Sequence, residues 1–135
     1  MAKRIRFIPL VLLLAFLLIP AWAMAGTGSV EGTVQGFHCV MMGKTCPVGK
    51  EDPVIAAERV FVVLTSAGNH YFVPNLDRAI LARHVAQRVR VSGDINSKYK
   101  SIKAKTFEVW KNGKWKTVWS QAMQDEINKE LEVGT

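Results

Sequence analysis

The stretch that decides the fold runs from Arg88 to Trp115 and reads RVRVSGDINSKYKSIKAKTFEVWKNGKW. At its start, Val89 and Val91 alternate with charged and polar residues. An alternation with a period of two is typical of a strand with one buried face, so a strand is predicted from Arg88 to Ile95. The polar residues from Asn96 to Lys100 then predict a loop.

The next predicted strand, Ser101 to Lys111, changes its apolar phase part-way along. Its apolar residues fall first on even and then on odd positions: Ile102 and Ala104, then Phe107 and Val109. One inserted residue, a β-bulge at Lys105 or Thr106, would place both halves on the same face.

Asn112-Gly113 predicts a two-residue hairpin turn, because a type I′ turn requires positive φ at both positions. This register places Trp110 opposite Trp115 and Phe107 opposite Val118. A serine that can cap a helix and an apolar stripe then predict a C-terminal helix from Ser120 to Leu131, packed on the hairpin or on a partner. The stripe consists of Met123, Ile127 and Leu131.

Upstream of this stretch the pattern predicts three more strands and one helix. The strands are Ser29 to His38, Arg59 to Thr65 and His70 to Val73, and the helix is Leu76 to Ala86, capped by Asn75 or Asp77. Three strands, a helix and two further strands is the element order of a five-stranded OB barrel. The fold class is therefore predicted to be mostly β, an OB-like barrel followed by the hairpin strand and the C-terminal helix.

The segment from Val89 to Ile95, with its polar loop and following strand, also resembles the fourth-strand region of small exported bacterial OB-fold proteins. The resemblance covers Ser29 to Lys111 and implies a binding surface on the barrel face. The loops after the first and fourth strands would flank that surface. No residue roles are transferred, because the cysteine loop and the tryptophan hairpin are not part of the general OB pattern.

Residues 1–25 predict a cleavable secretory signal. A basic start is followed by an apolar run from Ile8 to Ile19, and Ala23-Met24-Ala25 offers the small residues that signal peptidase reads. A membrane anchor is the alternative, but the run is shorter than the roughly 20 residues a span needs. The chain from Gly26 to Thr135 is then one exported domain, periplasmic or secreted, and its formal charge falls from +7 to about +4.

Most of the reactive side chains lie in the loop after the first strand. In an exported protein, Cys39 and Cys46 favour a disulfide that closes a short loop. The alternative is a soft-metal site of the copper type or a thiol-redox pair, since thiolate, thioether and imidazole suit Cu(I). The metal ligands would be His38, Cys39, Met41, Met42 and Cys46.

Basic residues near the two predicted loops are candidates for binding an anionic ligand or an acidic partner protein. The candidate set is His38, Arg88, Arg90, Lys98, Tyr99, Lys100 and Lys103, and the alternative is a solvated basic face. Nucleic acid is disfavoured because Tyr99 alone is placed for base stacking. No nucleophile–base pair is recognisable, so the sequence predicts a binding protein without a cofactor rather than an enzyme.

Overall fold

The computed structural model describes residues 26–133. The predicted signal, 1–25, lies outside these residues, and its cleavage stays a prediction. Within them the chain is mostly β, with six strands and four helices. The strands are β1 Gly26–Gly36, β2 Phe61–Leu64, β3 His70–Phe72, β4 Arg88–Asn96, β5 Ser101–Lys111 and β6 Lys114–Ser120. The helices are α1 Phe37–Met41, α2 Glu51–Ala57, α3 Arg78–Ala82 and α4 Gln121–Val133.

The six strands form one sheet in the order β3-β2-β1-β4-β5-β6, and neighbours in this order are antiparallel. β1 pairs with two strands. Residues 26–33 pair with β4, and residues 33–36 pair with β2. A parallel pairing of Phe72 with Ser101 also joins β3 to β5, which links all of the strands except β6 in a ring.

The bulge predicted in β5 is confirmed. Ser92 of β4 pairs with Thr106 and Gly93 pairs with Ala104, so Lys105 is the inserted residue. Both halves of β5 then direct their apolar side chains to one face, and Ile102, Ala104, Phe107 and Val109 are all buried. The core therefore lies against β1, β4 and β5, which contribute most of its fully buried side chains.

The hairpin turn is also confirmed, with φ of 51° at Asn112 and 76° at Gly113. Trp110 pairs with Trp115 as predicted. The predicted pairing of Phe107 with Val118 is wrong, because Phe107 pairs with Trp119. A second register shift between Phe107 and Glu108 displaces the end of β6 by one residue.

Three predicted boundaries in the first half differ from the structure. β1 ends at Gly36 rather than His38, because the chain turns directly into α1. The connection predicted as a loop contains both α1 and α2. The helix predicted over 76–86 is shorter in the structure and comprises α3 alone, because Val85 forms a parallel bridge with Val34 instead of continuing the helix. Asp77 is its cap and accepts from the Ala79 N–H at 2.6 Å.

The C-terminal helix forms as predicted, and the Ser120 hydroxyl accepts from the Met123 N–H at 3.2 Å. The helix contacts both hairpin strands, and the Trp119 Nε1–H donates to Gln124 at 3.3 Å. Met123, Ile127 and Leu131 of its apolar stripe are 48–68% exposed, so the stripe is not buried on the hairpin, and packing of the stripe on a partner stays a prediction. Within residues 26–133 no helix combines the length and the apolar character that crossing a bilayer requires.

Candidate functional site

An aromatic patch lies where β3 meets the start of the cysteine loop. Phe37, the first residue of α1, packs on Phe72 with ring centroids 5.1 Å apart and on His70 at 5.6 Å. His70 and Phe72 meet edge to face at 5.6 Å. All three side chains are only half-buried, so the patch contributes apolar surface to the exterior. We call these three residues the aromatic patch.

The turn between β4 and β5 lies beside this patch. The Phe72 N–H donates to the Lys100 carbonyl at 2.8 Å, next to the pairing of Phe72 with Ser101. Lys98, Tyr99 and Lys100 are exposed on this turn, and the Lys98 ammonium lies 5.4 Å from the Tyr99 ring centroid. The loops after β1 and β4 therefore converge on β3, bringing aromatic and cationic groups together.

Two of the remaining predicted basic residues, Arg88 and Arg90, are placed differently, and Lys103 is exposed on β5. Arg88 and Arg90 lie on the outer face of β4 and both pair with Glu31 of β1, at 3.1 and 2.7 Å. These two hydrogen-bonded arginines hold the pKa of the Glu31 carboxyl below its usual value. Arg90 also lies 3.8 Å from Glu108. The positive charge of this part of the predicted basic face is thus largely neutralised within the protein.

The neutralised arginines are held by the tryptophans of the hairpin. Trp110 and Trp115 meet at 5.1 Å. The guanidinium of Arg90 lies 4.1 Å from the Trp115 ring centroid, and that of Arg88 lies 5.4 and 5.3 Å from the two rings. Stacking of this kind fixes the arginine side chains, and each contact contributes about 0.5–1 kcal/mol at exposed sites.

The two cysteines are neighbours in space, as a disulfide or a shared metal requires. Both are free thiols in the structure, and the Cys46 thiol lies within hydrogen-bonding reach of Cys39. Burial raises the pKa of the Cys46 thiol, and the adjacent Cys39 raises it further, while the Gly36 N–H, 3.1 Å from the sulfur, acts in the opposite direction. The predicted disulfide stays a prediction.

The other predicted metal ligands are less favourably placed. Met41 and Met42 are 64% and 61% exposed. The exposed side chain of His38 lines a small apolar pocket of about 240 Å³ between α1 and α2, and Cys39 lines the same pocket. Among residues 26–133, no group of three or more His, Cys, Asp or Glu side chains is arranged to hold a metal ion.

Two groups that sequence reasoning missed lie near these elements. One is the aromatic patch, in which Phe37 lies 33 and 35 positions before His70 and Phe72 and meets them only in the folded sheet. The other is Gln35, which is 3% exposed and is the one polar side chain buried among the described residues. Glutamine is mostly exposed in proteins, so the residue type gave no sign of this burial.

Comparison with known proteins gives no relative for this chain: no family model, curated protein or solved structure matches it.

Proposed function

We propose that this protein is an exported binding protein with an OB-like barrel, and that its ligand surface is the rim around the aromatic patch. The observation that carries the proposal is the convergence of two loops on β3. The Phe37 ring of the first loop packs on the Phe72 ring, and the Lys100 carbonyl of the second loop accepts from the Phe72 N–H. Binding residues are commonly held on loops that a rigid sheet positions.

The barrel is supported by the ring of strand pairings. β1, β2, β3, β5 and β4 follow one another around this ring, and the contact between Phe72 and Ser101 completes it. This is the strand order expected of an OB barrel, with α3 between β3 and β4. β6 and α4 extend the sheet beyond the five strands of that barrel.

The charge distribution favours an anionic ligand that carries a flat or apolar group. Lys98 and Lys100 form no ion pair with another described residue, in contrast to Arg88 and Arg90. An anion at the β4–β5 turn would be attracted by both lysines, and the neighbouring aromatic patch would pack against a ring. Of the predicted ligand residues, this assigns the direct role to Lys98, Tyr99 and Lys100.

Phenyl phosphate combines a ring with a charged group and is the probe for this proposal. Titrated into ¹⁵N-labelled protein, it should shift the amide signals of Phe37, Phe72 and residues 98–100. Replacing Lys98 and Lys100 by Gln should weaken binding by about twofold to fivefold per lysine, as expected for exposed charge pairs. Inorganic phosphate, which lacks the ring, should bind more weakly.

The matched control is Lys111→Gln with Lys116→Gln, which removes the same charge from the exposed hairpin. Equal weakening by both double variants would mean that phenyl phosphate responds only to net charge, and the rim would not be its site.

A second candidate is a soft-metal or thiol-redox protein, supported by the adjacency of Cys39 and Cys46. The thiolate is both the nucleophile of thiol exchange and the form that binds a metal, so the raised pKa of the buried Cys46 works against both roles. A competition titration of reduced protein against a Cu(I) chelator tests this. Met41→Ala and Met42→Ala should weaken Cu(I) binding without unfolding the protein, and reduced protein that never competes would eliminate the candidate.

A further inference from the structure

A groove of about 390 Å³, lined by polar side chains and by apolar surface, lies on the outer face of β1 and β2, on the side opposite the buried Val34. Its volume lies within the range of small-molecule sites in proteins. Most of its lining groups are hydroxyls and amides: Thr33, Gln35, Thr45, Thr65 and Ser66, with Arg88 at one end. None of them belongs to the aromatic patch or to the β4–β5 turn.

Gln35 forms a preorganised donor group in this groove. Its Oε1 accepts from the Cys46 N–H at 2.5 Å, and because an N–H can only donate, the amide oxygen must face Cys46. Its Nε2 makes no hydrogen bond to another described residue, and no buried side-chain nitrogen or oxygen among these residues lacks a partner. Gln35 as a whole is only 3% exposed, so its NH₂ group lies at the floor of the groove with a small accessible surface, and its N–H groups are free to donate there.

Arg88, at one end of the groove, is also held in a fixed position. Arg88 uses one nitrogen to reach Glu31 at 3.1 Å, and its guanidinium lies 5.4 and 5.3 Å from the ring centroids of Trp110 and Trp115. Its remaining N–H groups keep a defined direction without the conformational cost that a free arginine would incur on binding. The Glu31 carboxylate beside it accepts hydrogen bonds, so donors and acceptors alternate at this end.

The chemistry of this lining points to the ligand. Arg88 and Arg90 are balanced by Glu31 and Glu108, so the groove carries no net charge that would select an anion, and Glu31 would repel a carboxylate. Hydroxyls donate and accept equally well, and Gln35 adds donors at the floor. We infer that this groove binds a neutral saccharide, whose hydroxyls match such a mixed set, while its apolar ring face packs on Leu64. This site is additional to the proposed rim and does not depend on it.

The test uses three disaccharides, cellobiose, maltose and N,N′-diacetylchitobiose, titrated into ¹⁵N-labelled protein. At least one should give saturable shifts of the Gln35 side-chain NH₂ and of the amides of residues 32–35 and 64–66. Thr33→Val keeps the shape and strand propensity but removes a hydroxyl, and should weaken binding about threefold to tenfold. Thr117→Val, the same change on the exposed face of β6, should leave the affinity unchanged.

Gln35→Glu is the second variant, because it keeps an oxygen for the Cys46 N–H and removes both free donors. It should weaken the same disaccharide at least as much as Thr33→Val does. The inference is overturned if no disaccharide gives a saturable shift, or if Thr33→Val and Thr117→Val bind alike. Acetate that saturates these signals where sugars do not would also overturn it, since the groove would then select a carboxylate. Lys98→Gln with Lys100→Gln should leave sugar binding intact, which separates this site from the rim.

Discussion

Replacing Gly32 by alanine tests how closely β1 and β2 approach where β1 changes partners. A Cβ at Gly32 would lie 2.3 Å from the Leu64 carbonyl oxygen and 2.7 Å from its carbon. These are backbone atoms, so the strands themselves must separate. Overpacking of this kind costs about 1–3 kcal/mol, and a clash with backbone belongs at the upper end. The smaller conformational entropy of an unfolded alanine recovers about 0.4–1 kcal/mol. We expect Gly32→Ala to lower the free energy of unfolding by about 2 kcal/mol.

Gly28 provides the matched control on the same strand. A Cβ there would lie 2.9 Å from Ile95 Cδ1, the end of a flexible side chain that can move aside. We expect Gly28→Ala to stay within about 0.5 kcal/mol of the original protein. Urea unfolding followed by tryptophan fluorescence measures both variants, with the slope against urea as the check on two-state behaviour. Equal stability of the two variants would refute the close approach of β1 to β2 and weaken the case for a closed ring of strands.

Three further predictions concern single clusters. Trp110→Phe or Trp115→Phe should each reduce the exciton signal in circular dichroism that rings 5.1 Å apart produce, and an unchanged spectrum in both would contradict the hairpin register. The pKa of Glu31 is lowered in the folded state, so its contribution to stability is full above the unfolded pKa near 4.5 and is lost as pH falls through the lower folded value. Glu31→Gln should therefore flatten the acid side of a urea-midpoint profile, and a profile parallel to the original would show that the pairing has no effect on stability. If the predicted disulfide forms, the oxidised original protein should be about 2–3 kcal/mol more stable than the double variant Cys39→Ser with Cys46→Ser. The reduced original protein is the control, and equal stability of the oxidised protein and the variant would argue against the bond.

The second half of the fold could be predicted because its signals are local. Alternation, the phase slip at Lys105 and the Asn112-Gly113 turn each lie within a few residues of what they determine. The predicted partner of Phe107 was wrong because of the second register shift. Val118 and Trp119 are adjacent and both apolar, so the sequence does not show which one faces the core. α2 was missed because it is short and is supported by distant contacts. The Arg78 guanidinium donates to carbonyls at its C-terminal end, those of Ile55 and Glu58.

The candidate sites were less predictable because they depend on pairings across the sheet. Arg88 and Arg90 read as a basic face, yet Glu31, 57 and 59 positions earlier, accepts hydrogen bonds from both. Residues of β1 and β4 meet only after the register is known, and a single sequence does not give that register. The proximity of Cys39 and Cys46 could be predicted from the sequence, because they are separated by only a few residues along the chain.

β6 is the outer edge of the sheet, and its side chains determine how the molecule behaves at high concentration. An edge strand exposes unpaired backbone groups that can template pairing with another molecule, and lysines on the strand are a common protection against such aggregation. Lys114 and Lys116 are both exposed there, and Lys111 lies across the turn. Two copies approaching edge to edge would bring these charges together. Since salt screens charges separated by more than about 10 Å at 0.1 M ionic strength, that protection weakens as salt rises.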